Sequence, residues 1–157
     1  MSKCPIQRAI DKLKQFAGMP VPASVFWIGD KPDFRQIDPE KFLHHLKFKL
    51  CAICGTKLTH TCYWVGGTKC TNSHYFTDGP MHQECAEMSI KLCPFLNKKK
   101  PTFRGDDIKV MPGQDASGRP DKMYLMRGVT SAFELRRLGT ESVALWAGEK
   151  LVIVRQF

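Results

Sequence analysis

The chain has 157 residues, 43% of them hydrophobic, with a formal net charge of +9 and a pI near 9.3. That length suits one domain, or one domain with a decorated end, and no run of eighteen apolar residues offers a membrane span. Charges run through "MSKCPIQRAIDKLKQF", which argues against a secretory signal, so a soluble, intracellular protein is expected, whose basic balance favours nucleic acid first, then acidic proteins or membrane surfaces.

Residues 5–17, "PIQRAIDKLKQFA", place Ile6, Ile10, Leu13 and Phe16 at helical spacing, with Arg8, Lys12 and Lys14 off that stripe. Gly18 and Pro20 would stop the helix. Val25, Phe26, Trp27 and Ile28 read as a strand, "GDKP" as a turn and "DFRQI" as the returning strand of a hairpin. Asp33 and Arg35, alternating with Phe34, suit an ion pair that fixes the hairpin better than a phosphate site. A second helix begins in "DPEKFLHHLKFKL", with Asp38 as N-cap and Pro39 at its first position. It delivers the chain to Cys51.

After "CAICG", residues 57–65 read as a strand and "GGTK" as a turn, while residues 70–77 fit neither pattern clearly. Pro80 precedes a third helix, "MHQECAEMSIKL", which should end before Pro94. "NKKKPTFRGDD" is a basic connector and "MPGQDASGRPD" a loop by composition. "KMYLMRG" reads as a short helical or irregular piece, and "SVALWAGEKLVIVRQF" as a hairpin turning at "AGEK". No internal repeat is visible. The class expected is α+β: residues 1–105 form a core of helix, hairpin and zinc finger, and residues 106–157 an extension with a β-hairpin packed on that core.

Seven cysteines are many for an intracellular chain, where disulfides are disfavoured, so metal ligation leads. Cys51 and Cys54 are separated by two residues, as are His82 and Cys85, with 27 residues (55 to 81) between the pairs. Zinc needs four ligands at tetrahedral corners, and two tight pairs supply them if the gap folds back. Gly55 suits a positive φ after the first pair. The second pair starts a helix, where the dipole helps to stabilise thiolate charge. Knuckle, hairpin and a helix bearing the last two ligands together resemble a treble-clef zinc finger. The alternative is a set of buried thiols acting as small hydrophobes. A redox CxxC lacks its βαβ setting. Cys70 is the alternative to His82 as a ligand. Cys93 reads as core, Cys62 and Cys4 as structural or incidental thiols, and His44, His45, His60 and His74 as surface or helix residues.

"KPDFRQID", "KLCAICG", "HQECA" and "CPFL", in this order, resemble a family of short, uncharacterised proteins from bacteriophages and actinobacteria. The likeness covers residues 20 to 97, with an echo in "LRRLGTESVALWAGEK". It includes Trp27 ahead of the PDFR segment, and Gly66, Gly67 and Cys70 ahead of the His-x2-Cys pair. "TNSHYFTDGPM" is this chain's own. The resemblance implies a shared zinc-binding fold and a phage or prophage setting, hence the cytoplasm of a host bacterium. It implies no activity.

An HNH-type nuclease would need a histidine to activate water and further ligands for a catalytic ion. His60, His74 and Asp78 lie in the right region. However, no adjacent Asp-His or His-His pair occurs there, and the helix has no second histidine beyond His82. No Walker loop, dinucleotide fingerprint, nucleophile elbow or HExxH is present. Binding remains. Lys98, Lys99, Lys100 and Arg104, with Lys47 and Lys49, are the candidate phosphate contacts, supported by Lys12, Lys14, Arg136 and Arg137. Tyr63, Trp64, Tyr75 and Phe103 are candidate stacking residues, Trp64 reading as core. The expectation is a zinc-stabilised protein that contacts nucleic acid or a nucleoprotein complex. The second reading is a phage inhibitor docking on a host defence protein, and the third is the nuclease.

Overall fold

The computed structural model describes residues 3–97, 122–140 and 142–157. The chain is α+β, with short helices and antiparallel sheets. Lys98, Lys99, Lys100, Arg104 and Phe103, with the loop that follows, lie outside the described residues.

The first helix is shorter than its apolar stripe suggests. α1 covers Pro5–Asp11, and β1 (Gln15–Phe16) then pairs with β2 (Met19–Pro20). Ala17 and Gly18 both have positive φ, 50° and 77°, the mark of the tight turn that best matches strand twist. Gly18 therefore serves a hairpin rather than a helix end.

β3 (Val25–Ile28) and β4 (Lys31–Ile37) form the expected hairpin. Its register jumps, pairing Val25 with Ile37 but Phe26 with Asp33. The buried Asp33 carboxylate closes the bulge: Oδ1 accepts from Arg35 N at 3.1 Å and Nε at 2.8 Å, and Oδ2 from Gln36 Nε2 at 2.9 Å. The hydrogen bond to Arg35 above all holds Asp33 down at a pKa of about 2. The PDFR segment is thus a local clasp.

α2 (Pro39–Phe48) starts as its sequence dictates: Asp38 accepts from Glu40 N at 3.0 Å and Lys41 N at 3.2 Å. Lys49 ends it in the left-handed region, at φ 55°. β5 (Thr61–Gly67) follows, then α3 (Thr68–Ser73), β6 (Tyr75–Phe76) and α4 (Gln83–Leu92). The "GGTK" segment is therefore the last pair of β5 and the start of a short helix, not a free turn.

The C-terminal part changes most. β7 (Met123–Val129) is a strand, not a helical piece, and it is central: β10 (Val152–Gln156) and β5 flank it. β8 (Glu134–Leu138) and β9 (Ser142–Trp146) make a hairpin, with β6 on the far edge of β9. So a C-terminal hairpin exists, but it does not turn at "AGEK". β9 and β10, which flank that segment, enter different sheets.

The core lies where these layers meet. Trp64 of β5 is fully buried, stacked on Phe76 at 5.3 Å and edge-on to Phe133 at 6.0 Å between ring centroids. Leu125, Met126 and Leu145 complete it. On the other side α4 packs on β5 and on α1, and Glu87 of α4 pairs with Arg155 of β10.

Candidate metal centre

Two short loops build the site, each tied to the next. Leu50 and Lys57 form a β-bridge that closes the first loop. Within it Gly55 N donates to Cys51 O at 2.9 Å and Cys51 N to Thr56 O at 2.8 Å. Gly55 has φ +73°, the conformation the tight pair demands and glycine adopts at least cost. Ala52 N donates to Pro80 O at 2.9 Å, which draws the second loop against the first. Tyr63 and Met81 exchange backbone bonds of 2.8 and 3.0 Å. That bridge folds the 55–81 gap back on itself and sets His82 at the N-cap of α4, three positions before Cys85.

The ligand atoms of Cys51, Cys54, His82 and Cys85 all lie within 4.8 Å of one another, and all four residues are buried. Tetrahedral ligands around one ion stand about 3.5–3.8 Å apart. His82 Nδ1 lies 3.4 Å from Cys54 Sγ, while Nε2 donates to Lys57 O at 3.0 Å. The Nε2–H group is thus engaged by the carbonyl and Nδ1 is turned toward the sulfurs, the arrangement that orients a histidine ligand. Thr56 Oγ1, 3.1 Å from Cys54 Sγ, steadies that sulfur.

The four groups interact strongly with one another. Contacts with Cys51 first, then Cys85, pull the Cys54 thiol far down, while contacts with Cys51 and Cys54 push Cys85 far up. The same two sulfurs, Cys51 first, push His82 up to about 10. The four groups thus compete for protons, and a divalent ion bound among them would displace those protons. Such a buried group of three thiols and an imidazole can hold a metal ion. Four protein ligands would fill a tetrahedral coordination sphere, the pattern of a structural metal site.

Other candidates fall outside the cluster. Cys70 is buried on α3 beneath Gly66 and Phe76, with its thiol pushed up to about 11 by burial. Burial likewise pushes Cys62 up to about 12. Cys93 follows α4 and Cys4 precedes α1, where it is exposed. His60 is exposed, and His74 Nδ1 lies 2.8 Å from Gly148 O. Neither joins Asp78 in a group of converging ligand atoms among the described residues. His45, read as a helix or surface residue, is buried on α2.

Of the basic candidates, Lys47 is exposed on α2. Lys49 turns inward, with Nζ 3.7 Å above the Phe133 ring and 3.4 Å from Phe133 O. Burial lowers its pKa. It ties α2 to the loop before β8 instead of facing solvent. Trp146, which sequence reading passed over as part of a strand, is half-exposed beneath Arg136. Among the described residues no helix is long and apolar enough to cross a membrane. Comparison with protein-family models, with curated proteins and with solved structures returned no match.

Proposed function

We propose that this is a zinc-stabilised protein of phage or prophage type that binds nucleic acid, or a nucleoprotein complex, through its basic surface. The observation that carries it is a buried Cys51–Cys54–His82–Cys85 group within a chain of net charge +9. Three thiolates and one imidazole converging within 4.8 Å of one another suit zinc above harder ions such as magnesium or calcium. Closed off by its own ligands, the ion holds the fold and leaves binding to the surface. The phage setting rests on the resemblance carried by the PDFR, CAICG, HQEC and CPFL segments.

Elemental analysis of protein purified without chelator should give about one zinc per chain, and a metal-free folded protein would sink the assignment. Affinity for DNA or RNA should fall linearly with the logarithm of salt, with a slope set by the phosphates neutralised. No affinity even at low salt would remove the nucleic-acid reading. A pull-down that recovers a specific host protein would then favour the inhibitor.

A further inference from the structure

The three-stranded sheet β6–β9–β8 reaches the core through Phe76 and Leu145, and its opposite, outward face carries the half-exposed Tyr75, Trp146 and Arg136 around the buried Ala144. On the outward face Tyr75 and Trp146 are direct cross-strand partners, and Glu134 stands opposite Trp146 on the other side. Arg136 pairs with Ala144, two positions along, so it is the diagonal neighbour of Trp146. Its guanidinium carbon lies 3.3 Å from the indole centroid, and its Nε donates to Glu134 Oε1 at 2.7 Å. Tyr75 is anchored from behind: Ala147 N donates to His74 O at 2.8 Å, and the His74 ring is bound to Gly148 O. Tyr75, Trp146 and Arg136 are each half-exposed.

Glu134 neutralises the charge of Arg136 locally. What Arg136 offers outward is therefore a flat, polarisable plane held over an indole, more than a free cation. Such planes, with aromatic rings alongside, stack nucleobases, and any base supplies the matching π-face. The same residue types also make protein hot spots, but the +9 charge of the chain favours a polyanion. Resting on the nucleic-acid reading above, we infer that the Tyr75–Trp146–Arg136 face is a stacking platform for the unpaired bases of single-stranded nucleic acid. The electrostatic part of binding comes from lysines elsewhere, and the platform selects single strands, whose bases are free to stack.

The test uses the full zinc-loaded chain with labelled ten-nucleotide oligothymidylate, ten-nucleotide oligouridylate and a ten-base-pair duplex. Both single strands, or one of them, should bind more tightly than the duplex, and the two arms separate DNA from RNA. Trp146→Ala should weaken binding at least about fivefold with an unchanged salt slope, because stacking releases no counterions. Arg136→Lys keeps the charge but loses the plane, and should weaken binding similarly. In a Trp27→Phe background, saturating oligonucleotide should quench tryptophan emission, since Trp64 is fully buried and the half-exposed Trp146 is the reporter. If Trp146→Ala does not fold, Arg136→Lys and the quench decide. Binding of the wild type with both variants within twofold and no quench overturns the platform and leaves the nucleic-acid reading standing. No binding by the wild type overturns both.

Discussion

Gly128→Ala tests how tightly the two sheets are locked together. Gly128 lies on β7 opposite Cys62, so the indole of Trp64 crosses it diagonally. A Cβ there would sit 2.8 Å from Trp64 Cζ3, inside any normal contact. The backbone itself would accept alanine, since Gly128 is not among the residues with positive φ. Trp64 has little freedom to retreat, being fully buried against Phe76 and Phe133. Overpacking of this kind costs about 1–3 kcal/mol. Restricting the unfolded chain offsets about 0.4–1 kcal/mol of that. Net destabilisation of about 0.5–2 kcal/mol is expected by urea unfolding at a fixed excess of zinc. Trp64→Phe alone leaves a gap worth about 1–2 kcal/mol but removes the offending ring edge. In that background Gly128→Ala should stabilise by about 0.4–1 kcal/mol, giving a coupling of about 1–3 kcal/mol. Equal costs in both backgrounds would refute the reasoning, because they would show that the methyl group and the indole never meet.

Chelation should unfold the protein cooperatively, since a structural zinc bound at the site would supply on the order of 10 kcal/mol, and retained near-ultraviolet dichroism in excess chelator would contradict this. His82→Cys should keep one metal per chain while His82→Ala loses affinity, measured by competition with a zinc indicator; equal retention by both would show that His82 is not a ligand. Asp33 has its pKa depressed to about 2 in the folded chain, so its stabilisation is full above the unfolded value near 4 and is lost as pH falls through about 2. Asp33→Asn should therefore flatten the acid limb of stability between pH 4 and 2, and an unchanged limb would count against the clasp. Lys47→Ala should lower the salt slope of nucleic-acid binding by about one, and an unchanged slope would exclude Lys47 from the interface.

Local signals were legible and long-range ones were not. Asp38 and Pro39 announce α2 because capping is decided within four residues. The two ligand pairs announce a metal centre because each pair is a turn of its own. By contrast, β7 hides because both its faces are buried: Met123, Leu125 and Met126 leave no alternation to read, and methionine and leucine also favour helices. "AGEK" looks like a hairpin turn because two apolar runs flank it. Nothing local says that they join different sheets. There the chain passes Gly148, at φ +96°, where a Cβ would lie 2.8 Å from that of Ala132. Lys49 reads as a phosphate contact by charge, but the left-handed end of α2 turns it onto Phe133. Trp146 needed its neighbours before it could be seen as more than a strand residue.

The place of β7 between β5 and β10 bears on how the protein is made. β5 is complete at Gly67, but its partner begins at Met123, and everything from 68 to 122 must leave the ribosome first. The knuckle has already emerged ahead of β5, and α4 follows within that interval. Metal capture can therefore shape the first half while the edge of β5 that β7 will pair is still bare. Such a nascent chain carries Trp64 without its cover, and supply of the ion during synthesis would decide whether it waits or aggregates.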